Sequence, residues 1–311
     1  MITVQGITKQ FGDITAVNNI SFAIKEGEIT GLLGPNGAGK TTTLRMLTCY
    51  LKPDRGSITI GKYDIGDDAV DVRRIVGYLP ESAPVYGDML VYDYLAFIAE
   101  VRGIQDPGRI AAMGALCGIN EVMHMNIGEL SKGYKQRVGL AQSMIHDPEI
   151  LVLDEPTSGL DPNQIIEIRN LIREIGKKKT VILSTHILPE VEATCDRVII
   201  IDRGSIVADD SPERLQSAAG GGMQVTVRVS GCDFGRLKGE LLKIDGVTRV
   251  DEVPDAELTA AQVTAGGAAD VRPAIFRMIS GNNWVLYEMM QEQRSLERVF
   301  RELTAGGAKL S

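Results

Sequence analysis

Gly34-Pro35-Asn36-Gly37-Ala38-Gly39-Lys40-Thr41 follows an apolar run, Glu28-Ile29-Thr30-Gly31-Leu32-Leu33. It leads into Thr41–Leu51, where apolar residues recur at helical spacing. The octet matches G-x-x-x-x-G-K-[ST], the phosphate-cradling loop, in the strand–loop–helix setting that this motif requires. Its glycines let successive backbone N–H groups turn inward, and the helix that begins near Lys40 adds its positive end. Lys40 is placed to reach β- and γ-phosphates, and the Thr41 hydroxyl to ligate Mg²⁺. Gly34, Pro35, Asn36, Gly37, Ala38, Gly39, Lys40, Thr41 and Thr42 are therefore the expected nucleotide-binding residues.

Outward from that loop, two more short apolar runs, Ile150-Leu151-Val152-Leu153 and Val181-Ile182-Leu183, end abruptly in polar residues. Strands of a parallel sheet buried on both faces read this way. A helix over Asn163–Ile175 separates them, which makes a βαβ unit. The first run delivers Asp154 and Glu155 to its carboxyl end, the edge where open α/β sheets bind ligands. Asp154 suits a Mg²⁺ contact, and Glu155 suits polarising an attacking water. Upstream, Ile2/Val4 and Val17/Ile20/Phe22/Ile24 alternate with polar residues and predict antiparallel strands. Another strand is expected at Ser57–Gly61, helix over Val91 to about Leu130, and a hairpin at Val198–Ile201 and Ser205–Val207.

Leu130-Ser131-Lys132-Gly133-Tyr134-Lys135-Gln136-Arg137 resembles the LSGGQ signature of the ATP-binding cassette (ABC) family. Pro156-Thr157-Ser158-Gly159-Leu160-Asp161 is similar to that family's D-loop, and Thr185-His186 to its H-switch. Phe11 falls where the family stacks an aromatic ring on adenine. The resemblance runs from Met1 to about Pro212 and is greatest, over Leu130–Ala141 and Asp154–Gln164, to cassettes of drug, polysaccharide and gliding-motility exporters. It implies a P-loop cassette of mixed sheet core, antiparallel β subdomain and helical subdomain. It also implies an ATP-hydrolysing transport subunit, peripheral on the cytoplasmic face of the membrane, serving a separate integral membrane permease. Two cassettes, as a homodimer or a heterodimer, would sandwich ATP between the loop of one and Ser131 and Gly133 of the other. His186 would contact the γ-phosphate beside Glu155.

Two positions depart from the family pattern. Glu81 stands where the Q-loop glutamine is expected, at the metal; a carboxylate accepts from metal-bound water but has no amide donor. Lys132 replaces the first glycine of the signature.

A net charge of -8 speaks against a nucleic-acid partner, which calls for a basic face. The four cysteines form no C-x-x-C pair and suit reduced thiols. Met1-Ile2-Thr3-Val4 lacks the start of an export signal, and no run approaches the roughly 18 apolar residues of a membrane span. A chromosome-type cassette would need long heptads in the interval of about ninety residues before the signature, and a ribosome-type one a second P-loop; neither is present. A nucleotide-dependent regulator without turnover is the remaining alternative.

The predicted domains are 1–217, with a helical part at about 82–148, a linker at 218–223 rich in Ala and Gly, and 224–311. The last shows a β-α-β-β-α-β order, an α+β and ferredoxin-like pattern for which a regulatory or dimerisation role is expected. Ala83-Pro84-Val85-Tyr86 reads as a docking segment for the membrane partner. Met123-His124-Met125 reads as packing rather than as a soft-metal site.

Overall fold

The computed structural model describes residues 1–82, 85–218, 223–266, 270–292 and 296–306. Ala83 and Pro84 of the expected docking segment, and linker residues 219–222, lie outside them. Contacts divide the chain into two units, Met1–Leu215 with the residues from Phe300 on, and Gln216–Val299.

The first unit opens with β1 (Ile2–Phe11), β2 (Ile14–Ile24), β3 (Ile29–Leu33) and α1 (Lys40–Leu47). β4 (Arg55–Ile60), β5 (Tyr63–Asp64), α2 (Ala69–Ile75) and β6 (Val76–Leu79) follow. Then come α3 (Val91–Val101), α4 (Pro107–Cys117), α5 (Lys132–Met144), β7 (Ile150–Asp154) and α6 (Pro162–Gly176). β8 (Thr180–Thr185), α7 (Leu188–Thr194), β9 (Arg197–Asp202), β10 (Ser205–Asp210) and α8 (Pro212–Ala218) complete the run.

Two sheets result. The antiparallel one has the order β2-β1-β4-β5, and its inward residues Ile2, Val4, Ile7, Ile58 and Ile60 join Leu44 and Leu47 of α1 in one core. The other has the order β10-β9-β3-β8-β7-β6, parallel throughout except for the final β9–β10 hairpin. Every residue of β3, β7 and β8 is buried, as the uninterrupted apolar runs predict. In register, Leu33 sits opposite Thr185 and Asp154 opposite Ser184, so three strand ends meet along one edge.

The stretch expected to be helical from Val91 divides. α3 buries Val91, Tyr94, Leu95 and Ala99, which form one helical stripe. Asp106 then caps α4 by accepting from the Gly108 N–H, with Pro107 in its first turn, and Gly118 closes it at φ 64°. Two 3-10 turns, Asn120–Val122 and Ile127–Glu129, lead to α5. α1 is shorter than its periodicity suggests, because Cys49 adopts φ 56° and the Thr48 hydroxyl turns back on the Leu44 carbonyl.

The second unit contains β11 (Met223–Ser230), α9 (Phe234–Leu241), β12 (Val247–Val253), β13 (Thr259–Ala265), α10 (Arg272–Gly281) and β14 (Val285–Glu292); α11 (Leu296–Gly306) crosses the division. Its sheet order β12-β13-β11-β14, antiparallel at every step, is the split βαβ arrangement. Val225, Val227 and Val229 meet Leu237, Leu241, Ile275, Ile279 and Trp284 in a separate core, where Trp284 is 8% exposed. Among the described residues no helix is long and apolar enough to cross a membrane.

Candidate functional site

The loop between β3 and α1 wraps the edge where the strand ends meet. Gly39 caps α1 with φ 106°, and a Cβ there would lie 2.4 Å from the Ala16 carbonyl oxygen, so only glycine fits. The Ala38 carbonyl accepts from the Gly204 N–H at 3.0 Å, which pins the loop to the β9–β10 turn. Lys40, 6% exposed, donates to the Gly34 carbonyl at 2.7 Å and to that of Pro35 at 3.3 Å. Its ammonium is also 3.4 Å from Glu155 Oε1.

Asp154 and Glu155 end β7 differently. The Asp154 carboxylate accepts from Thr41 Oγ1 at 3.0 Å and from Ser184 Oγ at 2.6 Å, both on its Oδ1. Glu155 bends off the strand at φ 48°, a left-handed conformation that a non-glycine residue holds at a cost, and one concentrated at functional sites. Its N–H is taken by Ser184, by the hydroxyl at 3.0 Å and the carbonyl at 3.2 Å. The bend brings Glu155 Oε2 to 2.9 Å from His186 Nδ1; a carboxylate oxygen only accepts, so Nδ1–H donates. Glu155 thus stands between a fixed cation and a half-exposed imidazole.

These groups line a cavity of about 440 Å³ bounded by Asn36, Gly37, Ala38, Gly39, Lys40, Thr41, Thr42, Glu81, Glu155, Ser158 and His186. Gly34 and Pro35 stand behind it as carbonyl acceptors for Lys40, and Asp154 behind Thr41. Phe11 does not line it; the ring is 48% exposed at the end of β1, with Lys9 Nζ 5.7 Å from its centre. Ser131 and Gly133 do not line it either. Ser131 caps α5, accepting from the Tyr134 N–H at 3.4 Å. A Cβ on Gly133 would meet the Gln164 amide at 2.7 Å, so the signature start is seated against α6. Lys132 extends over Gly159, whose added Cβ would come within 2.2 Å of its Nζ.

The oxygens of Thr41 and Asp154, with the Glu81 carboxylate on the same cavity, fit a small hard cation that takes few protein ligands and completes its shell with phosphate and water. No cluster of three or more His, Cys, Asp or Glu side chains suited to a metal occurs among the described residues.

Sequence reasoning missed Ser184, which ties Asp154 to the Glu155 backbone, and Glu190, which accepts from Thr157 and Thr185. The cross-strand register that pairs Asp154 with Ser184 has no local signal in the chain.

The ABC transporter family profile matches residues 17–158. The chain is 32% identical over 311 residues to the linearmycin resistance ATP-binding protein LnrL of Bacillus subtilis (strain 168), covering 98% of each chain. It is 40% identical over 209 residues to the uncharacterized ABC transporter ATP-binding protein YxlF of the same organism, covering 66% of this chain and 69% of that one. Among solved structures, cbiO1 from Clostridium perfringens, part of the ABC transporter complex cbiONQ, is similar at 28% identity and a TM-score of 0.63, covering 70% of this chain and 90% of that one.

Proposed function

Because the chain belongs to the ATP-binding subunits of ABC transporters, which bind and hydrolyse ATP to drive transport, we propose that it is the motor of an exporter. In this reading two copies close head to tail on two ATP molecules at the cytoplasmic face of a membrane, and the closure is passed to a separate permease. LnrL, similar along its whole length, is a linearmycin resistance protein, which supports the export direction.

The observation that carries the reading is the division of labour at the site. The loop of residues 34–42, Glu155 and His186 share one cavity, while the N-terminal end of α5 at Ser131 and Gly133 takes no part in it. A helix start is an anion seat, and here it is available to a second copy's γ-phosphate. Loop amides and Lys40 hold the triphosphate, with Lys40 exchanging the Gly34 and Pro35 carbonyls for phosphate oxygens. Mg²⁺, held by Thr41 and Asp154 with Glu81 nearby, would neutralise charge on the phosphates. Glu155 accepts the proton of the attacking water, and His186, 2.9 Å from the Glu155 carboxylate, orients that water and the γ-phosphate.

The test uses Glu155→Gln, which keeps the shape of the site and removes the base. With ATP and Mg²⁺ the purified variant is expected to double its mass in light scattering, and Ser131→Ala in that background to return it to monomer. A Glu155→Gln protein that binds ATP yet stays monomeric overturns the motor reading. Stimulated hydrolysis on adding a co-purified permease is the expected sign of transport coupling.

A further inference from the structure

Glu190, on α7, is buried at 3% exposure and forms no ion pair among the described residues. A carboxylate taken out of water without a cation is costly, and its oxygens must be satisfied in full. Here each oxygen takes one threonine hydroxyl. Oε1 accepts from Thr157, and Oε2 from Thr185 at 2.7 Å. Both threonines are themselves buried. Since a carboxylate offers no donor, both hydroxyl protons are committed toward it. The Thr185 oxygen is then left to accept from the Ile187 N–H at 3.0 Å, which sets the turn that carries His186.

The contacts close a ring. Thr157 lies two residues beyond Glu155, Thr185 lies one residue before His186, and Glu155 and His186 meet at 2.9 Å. Glu190 is the piece that joins the two segments from behind. We infer that Glu190 is a positioning residue for hydrolysis: by bridging Thr157 and Thr185 it holds the His186 imidazole against the Glu155 carboxylate. It is not among the residues that line the cavity. The inference rests on the function proposed above, in which Glu155 and His186 serve one hydrolytic step.

The experiment is a double-mutant cycle on the full chain, read by kcat, KM for ATP and ¹⁵N NMR of the histidines, with the His186 signal identified by its loss in His186→Ala. Glu190→Ala is expected to lower kcat about tenfold, some 1.4 kcal/mol of barrier, with KM for ATP changed less than twofold. In the His186→Ala background the same change is expected to cost less than twofold, because the positioned ring is already gone. Glu190→Gln, which can still bridge both hydroxyls, is expected to restore kcat to within about threefold of the starting protein. The His186 Nδ1 signal is expected to move toward that of a free imidazole in Glu190→Ala and not in Glu190→Gln. Thr157→Val, nearly isosteric, cuts the same ring from the other side and carries the test if Glu190→Ala does not fold. A lowered melting temperature with kcat and the His186 signal unchanged, or losses that multiply across the cycle, overturns the inference. A parent protein that turns over no ATP overturns the functional reading instead, while the NMR signal still reads the Glu190 contact.

Discussion

At the scale of single residues, the backbone of the site is as specific as its side chains. Gly39 combines φ 106° with a Cβ position 2.4 Å from the Ala16 carbonyl. Gly39→Ala is expected to destabilise the first unit by about 1–3 kcal/mol and to abolish nucleotide binding, checked by denaturant midpoint and by titration with a fluorescent ATP analogue. His146 shows a different dependence. It follows α5, its Nε2 lies 3.2 Å from the Val76 carbonyl, and its Nδ1 is buried without a hydrogen-bond partner. Burial first, then the Arg102 charge, with Arg109 and Lys179 adding to it, pushes its pKa down to about 4. The unfolded ring, near pKa ~6.5, takes a proton where the folded ring stays neutral. Between those values the unfolded state binds more protons, so stability falls as pH falls through the window. Denaturant midpoints at pH 7 and pH 5 should therefore differ more in the parent protein than in His146→Gln.

At the scale of elements, caps and registers decide which parts of the sequence could be read in advance. α6 starts at Asp161, whose Oδ1 accepts from the Asn163 and Gln164 N–H groups at 3.0 Å each, with Pro162 in the first turn. Its stripe of Ile168, Ile172 and Ile175 faces the core. Asp161→Ala is expected to cost about 1 kcal/mol in a denaturant titration. It should also weaken ATP-driven pairing, since α6 backs Gly133 through Gln164. Such signals are local, which is why β3, β7, β8, α6 and the phosphate loop were legible from residue order alone. So was the alternation of β1 and β2, and the order of the second unit's elements. The end of α1 at Leu47 was not, because Cys49 turning to φ 56° leaves no mark in apolar spacing. Nor was the pairing of Ser184 with Asp154, or of Glu190 with two threonines: those partners lie 30, 33 and 5 positions apart and meet only once β7, β8 and α7 have packed. Site residues carried by a motif could be named, Asp154, Glu155 and His186 among them; Ser184 and Glu190, which brace them from outside any motif, could not.

At the scale of the whole molecule, the chain divides into two units, each with a buried apolar cluster of its own among the described residues, and the site lies in the first. Loop, acids and His186 belong to the first unit. The second is a closed split βαβ layer whose interior is built from its own valines, leucines and isoleucines. Two cores of this kind need not melt together. Trp284 is the chain's single tryptophan, and it sits in the second core. Excited near the red edge of tryptophan absorption, the protein therefore emits from that unit alone, and its emission should shift to longer wavelength only when that unit opens to water. A urea series followed at once by emission and by ATP turnover is expected to give two curves with different midpoints, whereas superimposed curves would mean that the two units unfold as one cooperative block.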